Sequence, residues 1–359
     1  MTTPARPQLD GLTAARGLAA WMVVLYHIRA STPWLPDWAM AFVHKGYLAV
    51  DFFFILSGFV IWLSASGEFA ARGLAASPAF LRRRLARIYP LYATMLGLTV
   101  AFVALLHATG RDAAGYPWAE LPLHILMLQN WGFTETLSWN HPAWSISTEF
   151  AAYLLFPMLA WLLPLARAPR VVLALGVAGI IGAMAAALRH AGVEDLGADI
   201  PRFGLLRCLC EFTAGAMLCA LWNQGAHCLT RWAVAAAGMA AALAWGWGWG
   251  VSTINELWAF PLITASTIYL LADYNRAGGG TPAPLRYLGE FSYATYLAHF
   301  MLFIGFKIAF VRDAVNIAPH LILLYLLLTL AASVVLYHGV EKPGRRWVGK
   351  RGDKTAALP

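Results

Sequence analysis

Charge is what this sequence has least of: 12% of its 359 residues are Asp, Glu, Lys or Arg, against 60% that are apolar. A water-soluble domain needs a charged skin that this composition cannot supply, and a mean hydropathy of +0.61 places the chain in a bilayer. Acid is the scarcer sign, which leaves a net charge of +8. The Lys and Arg residues lie between apolar runs rather than on one soluble face, so they read as topology signals and no nucleic-acid partner is expected. Only four cysteines occur; Cys208, Cys210 and Cys219 share one apolar run and Cys228 comes soon after it. That is not a paired metal-ligand spacing, so they read as helix-packing residues and no metal site is expected. The sequence has no P-loop, no dinucleotide fingerprint and no internal repeat, which argues against an ATP-driven pump. The first apolar run, from Leu12, has no basic n-region or small-residue cleavage site ahead of it and reads as a retained span, not a removed signal peptide.

Long apolar runs are what the chain does have. At a helical rise of 1.5 Å a crossing needs about 20 apolar residues. Ten stretches meet that measure: 12–28, 45–64, 88–107, 143–165, 171–188, 203–222, 232–250, 255–272, 291–311 and 320–337. Residues 122–131 are too short to cross and read as an interfacial or re-entrant piece. With the N-terminus in the cytoplasm, 17 of the Lys and Arg residues fall inside and seven outside, from Arg6 and the Arg72–Arg87 group to the tail from Lys342 to Lys354. The expected fold class is therefore an all-α polytopic membrane protein of about ten transmembrane helices with both termini cytoplasmic. Residues 1–343 would form the membrane unit and 344–359 a basic cytoplasmic tail. Gly278, Gly279 and Gly280 mark a flexible connection, and Trp245, Trp247 and Trp249 an aromatic belt at one membrane face.

Ionisable residues within spans cost several kcal/mol unless paired or hydrated, so each is a functional candidate. Arg16 and His27 are eleven positions apart on the first span. Eleven steps of about 100° bring both to one wall, about 16 Å apart along the axis. Arg16 then lies toward the cytoplasm and His27 toward the outside. Counting down from the starts of their spans puts Asp51 and Glu149 at a shared depth of about 9 Å below the outer surface, in the same outer third as His27. A histidine with a carboxylate at its own depth is the arrangement of a general base held in one tautomer by an acid partner. Both carboxylates could instead pair with Arg207, also in the outer third, while Glu211 and His299 fall nearer the middle, where a structural pair is an equal reading. In the run FLRRRLARIYP, Arg84 and Arg87 share a helix face at the cytoplasmic boundary. Guanidinium forks there suit a phosphate-rich donor, although topology anchoring is an equal reading.

Five segments together resemble the acyltransferase-3 family of membrane O-acyltransferases, and the likeness runs from Leu12 to Pro343. LTAARGLAAWMVVLYH resembles the family's opening helix, with its Arg-x10-His motif on Arg16 and His27. GYLAVDFFFILSGFVIW resembles its second-span signature, on Asp51, Phe53, Ser57, Gly58 and Phe59. RRRLARIYP carries an Arg-x-x-Arg on Arg84 and Arg87. WSISTEF, with Trp144, Ser145 and Glu149, and FSYATYLAHF, with Ser292, Tyr293, Tyr296 and His299, match two later signatures, and Glu341 and Pro343 fit the end of the last span. Ala151 and Ala152 stand where the family commonly has bulkier residues, and no appended hydrolase-like domain is expected.

The resemblance implies an acyl-CoA donor, acetyl-CoA above all, with no permanently bound cofactor, an essential His27, and a carbohydrate or lipid-linked glycan acceptor. It also implies residence in the bacterial inner membrane, with the lipid bilayer as a partner. The expected division of labour has CoA phosphates at Arg84 and Arg87, the pantetheine arm beside Arg16, and His27 oriented by Glu149 or Asp51 as base or nucleophile. Tyr26, Trp144 or a backbone amide would stabilise the oxyanion. The alternative from another class is a transporter or flippase of a lipid-linked glycan, in which the buried charges would be substrate or proton sites.

Overall fold

The computed structural model describes residues 9–225, 228–248 and 255–347, and every regular element among them is helical. In chain order the helices are α1 (Asp10–Ile28), α2 (Asp37–His44), α3 (Ala49–Arg72), α4 (Ser77–Ala108), α5 (Leu121–Ile125), α6 (Trp144–Leu162) and α7 (Arg170–His190). They continue with α8 (Ile200–Asn223), α9 (Cys228–Gly248), α10 (Glu256–Arg276), α11 (Ala283–Glu290), α12 (Ser292–Phe310) and α13 (Pro319–Leu336).

Among the described residues, nine helical stretches are long and apolar enough to cross a membrane. One of them, Asp37–Ala108, is 72 residues long and contains both α3 and α4, joined by a tight turn over Gly73–Ala76. Gly73 takes φ +55° there, a backbone state that costs glycine little. With those two helices counted apart, each of the ten expected spans has a helix, and the chain is a multi-pass, all-α membrane protein. Leu229, Trp232, Met239 and Leu243 on α9 and Leu323, Leu327 and Val335 on α13 are exposed, an apolar skin suited to lipid.

The largest departure from expectation is α4. It begins at Ser77 with a proline in its first turn, not at 88, so the arginine run belongs to the spanning helix itself. Residues 122–131 behave as expected: only α5 is helical there. Trp245 packs on Phe260 between helices, at 5.6 Å between ring centroids, while Trp249 and the side chain of Trp247 lie outside the described residues. Arg6 and the tail from 348 also lie outside them; residues 344–347 continue the last helix.

The core is organised around α3 and α8. A Cβ added at Gly58 would overlap the carbonyl oxygen of Phe212, and one at Gly215 would overlap that of Ile55, so the two backbones touch where only glycine fits. A second close contact joins α1 to α11, where Gly289 lies against the Thr13 carbonyl. This contact brings the α11–α12 junction alongside Arg16. At the end of α13 the backbone makes one π-turn over Tyr337–Glu341, whose extra residue per turn re-aims the end of the helix and leaves Glu341 buried.

Candidate active site

Two chambers lie along α1, one at its Arg16 end and one at its His27 end. The first is bounded by Arg16, Ser57, Arg84, Arg87, Glu149 and Tyr153, among others. Arg16 donates from Nε to Ser292 Oγ (3.0 Å) and from Nη2 to the Gly289 carbonyl (2.8 Å). Arg87 is ion-paired with the buried Glu341. Arg84 is less committed, for its buried Nε has no hydrogen-bond partner. Glu149 accepts from Ser57 Oγ at 2.5 Å and from Tyr153 OH at 2.6 Å. Three guanidiniums thus face one lining carboxylate, which already accepts two hydroxyls. The surplus positive charge in a largely apolar surround suits an anion.

The second chamber is lined by Tyr26, His27, Arg29, Tyr47, His141, Trp144 and Arg207, among others. His27 Nδ1 lies 2.9 Å from the Val23 carbonyl and 3.2 Å from Nε2 of the fully buried His299. Tyr26 and Phe300 set their rings edge-on to His27 at 5.2 and 5.4 Å, and His141 stacks on Phe300 at 4.7 Å. The guanidinium carbon of Arg29 sits over Tyr26, 3.6 Å from the ring centre. An imidazole among aromatic faces and polar tips is the kind of wall against which a sugar or other hydroxyl compound packs.

Tyr296 borders both chambers. Its hydroxyl is 2.7 Å from Ser145 Oγ and donates to the Pro142 carbonyl (3.1 Å), while Phe53 packs edge-on at 5.7 Å. Tyr296 and its tethers on the α6 side form the septum between the Arg84 chamber and the His27 chamber.

The structure redistributes the carboxylates expected at His27. Asp51 is fully buried and accepts from Arg207 Nη2 at 2.7 Å, so it is the partner of Arg207 and not of His27. Asp51 lies in the first turn of α3, the helix that packs on α8, whereas His27 looks toward α12. Glu149 belongs to the Arg84 chamber. His141 already sits at the level of His27, and eight residues further on the chain is about 12 Å along the axis. Glu211 joins the Asp51 and Arg207 cluster on α8 rather than pairing with His299. Trp144 packs edge-on against Phe54 at 5.8 Å and under the Arg207 guanidinium. His141 went unnoticed in the sequence; its one signal was a His-Pro pair directly ahead of the WSISTEF segment. The link between Arg87 and Glu341, 254 positions apart, left no local signal.

A chamber with surplus guanidinium charge, sharing Tyr296 with a chamber that has an imidazole in its wall, is an arrangement suited to a membrane-embedded enzyme of the group-transfer kind. Residues 9–338 match a family described as an acyltransferase domain, and the chain belongs to that acyltransferase-3 family. It is 29% identical to the acyltransferase MdmB of Streptomyces mycarofaciens over 96% of this chain and 93% of that protein. It is 28% identical to the putative membrane-bound transacylase BcsY of Komagataeibacter xylinus, over 98% and 88%. The O-acetyltransferase OatA of Staphylococcus aureus is 23% identical over 98% of this chain, which spans only 58% of OatA's length. No solved structure matches. The protein is a membrane acyltransferase, and the flippase alternative falls away with that finding.

Proposed function

We propose that the protein moves an acyl group, acetyl in the simplest case, from acyl-CoA in the cytoplasm to a hydroxyl of a cell-envelope or exported carbohydrate, working in the bacterial inner membrane. The observation that carries this reading is the pair of chambers meeting at Tyr296, one lined by guanidiniums and the other by His27. CoA carries its phosphates at one end of a long flexible arm and its thioester at the other. Arg84 and Arg87 take the phosphates at the chamber mouth, Arg16 lines the path of the arm, and the thioester reaches past Tyr296. His27 takes the proton of the acceptor hydroxyl as its oxygen attacks the thioester carbonyl. The C–S bond then breaks, the electron pair leaves on the CoA sulfur, and the proton passes from His27 to that thiolate. Tyr26 and Trp144 line the chamber where the oxyanion forms.

The test uses purified protein in proteoliposomes of known orientation, with acyl-CoA supplied on the Arg84 side. CoA should be released where acyl-CoA was added, and a carbohydrate acceptor on the opposite face should be acylated. The His27→Ala protein should insert normally and lose roughly 10³-fold or more of the activity. Orientation is read by labelling Asp37→Cys and Ala75→Cys, both at exposed positions, in a background without the native cysteines. Position 37 should label from outside and position 75 only after permeabilisation. Acylation confined to acceptor on the acyl-CoA side would refute the two-sided route, and unimpaired turnover by His27→Ala would refute the site.

A further inference from the structure

His27 and His299 meet ring to ring, and the hydrogen atoms of the pair are set by the groups around each nitrogen. His299 Nδ1 faces two carbonyl oxygens of its own helix, Tyr296 at 2.7 Å and Thr295 at 3.2 Å. A carbonyl oxygen can only accept, so Nδ1 of His299 carries a hydrogen. His299 is fully buried, and among the described residues its ring hydrogen bonds run only to those carbonyls and to His27, with no carboxylate among them. A second ring proton would place an unpaired cation in an apolar core, which is strongly unfavourable. The ring is therefore neutral and its Nε2 is a bare acceptor.

That acceptor points at Nδ1 of His27, 3.2 Å away, and the same Nδ1 lies 2.9 Å from the Val23 carbonyl. Two acceptors converge on one nitrogen, so Nδ1 of His27 carries the hydrogen and shares it between them. The other nitrogen, Nε2, makes no hydrogen bond among the described residues and is left with its lone pair free. We infer that His299 is a positioning residue which, with the Val23 carbonyl, locks His27 in the Nδ1–H tautomer and so leaves Nε2 as the reactive nitrogen.

A carboxylate would do this work in water-filled sites, and two were expected near His27. Here a neutral imidazole does it without bringing a charge into the membrane. The rigidity of the device comes from the α12 backbone. His299 is pinned from one side by its own helical turn, and its carbonyl receives the Tyr325 hydroxyl of α13 at 3.0 Å. During transfer Nε2 takes up the hydroxyl proton, making His27 transiently cationic, and the bare Nε2 of His299 remains as the acceptor that steadies the Nδ1–H.

This inference rests on the acyl-transfer reading for its kinetic consequence, but not for its spectroscopic one. Histidine labelled with ¹⁵N in the lipid-embedded protein, with His27→Ala and His299→Gln used to assign the signals, reports which nitrogen of each ring is protonated. Both His27 and His299 should be Nδ1–H in the absence of substrate. His299→Leu removes the acceptor and should release His27 into a mixture of tautomers, with kcat falling roughly 10²-fold and KM for acyl-CoA unchanged. His299→Gln restores an acceptor oxygen near the place of Nε2 and should recover activity to within about tenfold of wild type. Nε2–H on His27 in the wild type overturns the inference, as does an unaltered kcat in His299→Leu. Equal loss in the Leu and Gln proteins with an unchanged His27 tautomer assigns His299 to packing alone and also overturns it. Should His299→Leu fail to fold, the wild-type spectrum and the Gln protein still decide. Absence of acyl-CoA consumption by the wild type would sink the donor assignment, yet the tautomer, measured without substrate, would stand.

Discussion

Two of the groups of charges buried among the described residues are built to opposite plans. The group on α3 and α8 is closed in its pairing: Asp51 and Arg207 are 0% and 2% exposed and bond to each other at 2.7 Å, although Arg207 also forms part of the wall of the His27 chamber. The group around Arg16, Arg84, Arg87 and Glu149 is open. Arg16 is held by neutral oxygens and Arg87 by a carboxylate from a distant helix, Arg84 Nε has no hydrogen-bond partner, and all three border a cavity. Ionisable residues in spans are functional candidates as a class. A closed ion pair has spent its attraction on its partner and serves chiefly to fix one helix against another. An open cluster still has hydrogen-bond donors to offer a ligand.

The contrast is sharpest in what each group should do when broken. Asp51→Ala removes the hydrogen-bonded partner of the buried Arg207 guanidinium, leaving only Glu211 beside it, and should destabilise the fold by about 3–5 kcal/mol. Loss of detergent-solubilised monodisperse protein reads this directly. Asp51→Leu combined with Arg207→Met and Glu211→Gln should recover most of the folded protein, because no charge is then stranded; a triple variant as unstable as the single one would contradict the closed-pair assignment. In the open group, Arg84→Ala should fold normally and weaken CoA binding by about 10- to 100-fold, the equivalent of one or two charge-assisted hydrogen bonds. Arg84→Lys should recover it only in part, since an ammonium keeps the charge and loses the planar fork. Isothermal titration with CoA measures both, and equal affinity across the three proteins would reassign Arg84 to topology. At the septum, Tyr296→Ala should open one chamber to the other, admit water, and raise the ratio of acyl-CoA hydrolysis to transfer several-fold, about half to one kcal/mol in partition. An effect of comparable size belongs to Ser57→Ala, which removes one of the two hydroxyls held by Glu149. It should cost about 0.5–1.5 kcal/mol in thermal stability or donor binding. An effect as large as that of Asp51→Ala would mean that Glu149 also belongs to a closed cluster.

The bilayer made most of the fold legible in advance. Apolar runs of crossing length specify helices because in lipid a single segment can satisfy its own backbone hydrogen bonds only as a helix, and each expected run contains one among the described residues. Arg16 and His27 share a wall because the helical repeat alone puts them there. Depth was the weaker guide. Rise per residue fixes the spacing within one helix but not which neighbour a side chain faces: Asp51 pairs with Arg207, Glu149 lines the Arg84 chamber and His27 meets His299.

What the sequence determined by itself was therefore everything local: the helices, the approximate number of crossings, the apolar skin, and the chemical types that could act. The tertiary structure decided the partnerships. Glycines at 58 and 215 let α3 and α8 touch, which brings Arg207 onto Asp51 and takes that carboxylate away from His27. A π-turn at the end of α13 aims Glu341 at Arg87 across 254 positions of chain. The packing of α12 on α1 sets one imidazole against another. Such contacts join residues far apart in the chain, and no repeat or local spacing encodes them; they exist only once neighbouring helices have settled into a single packed register.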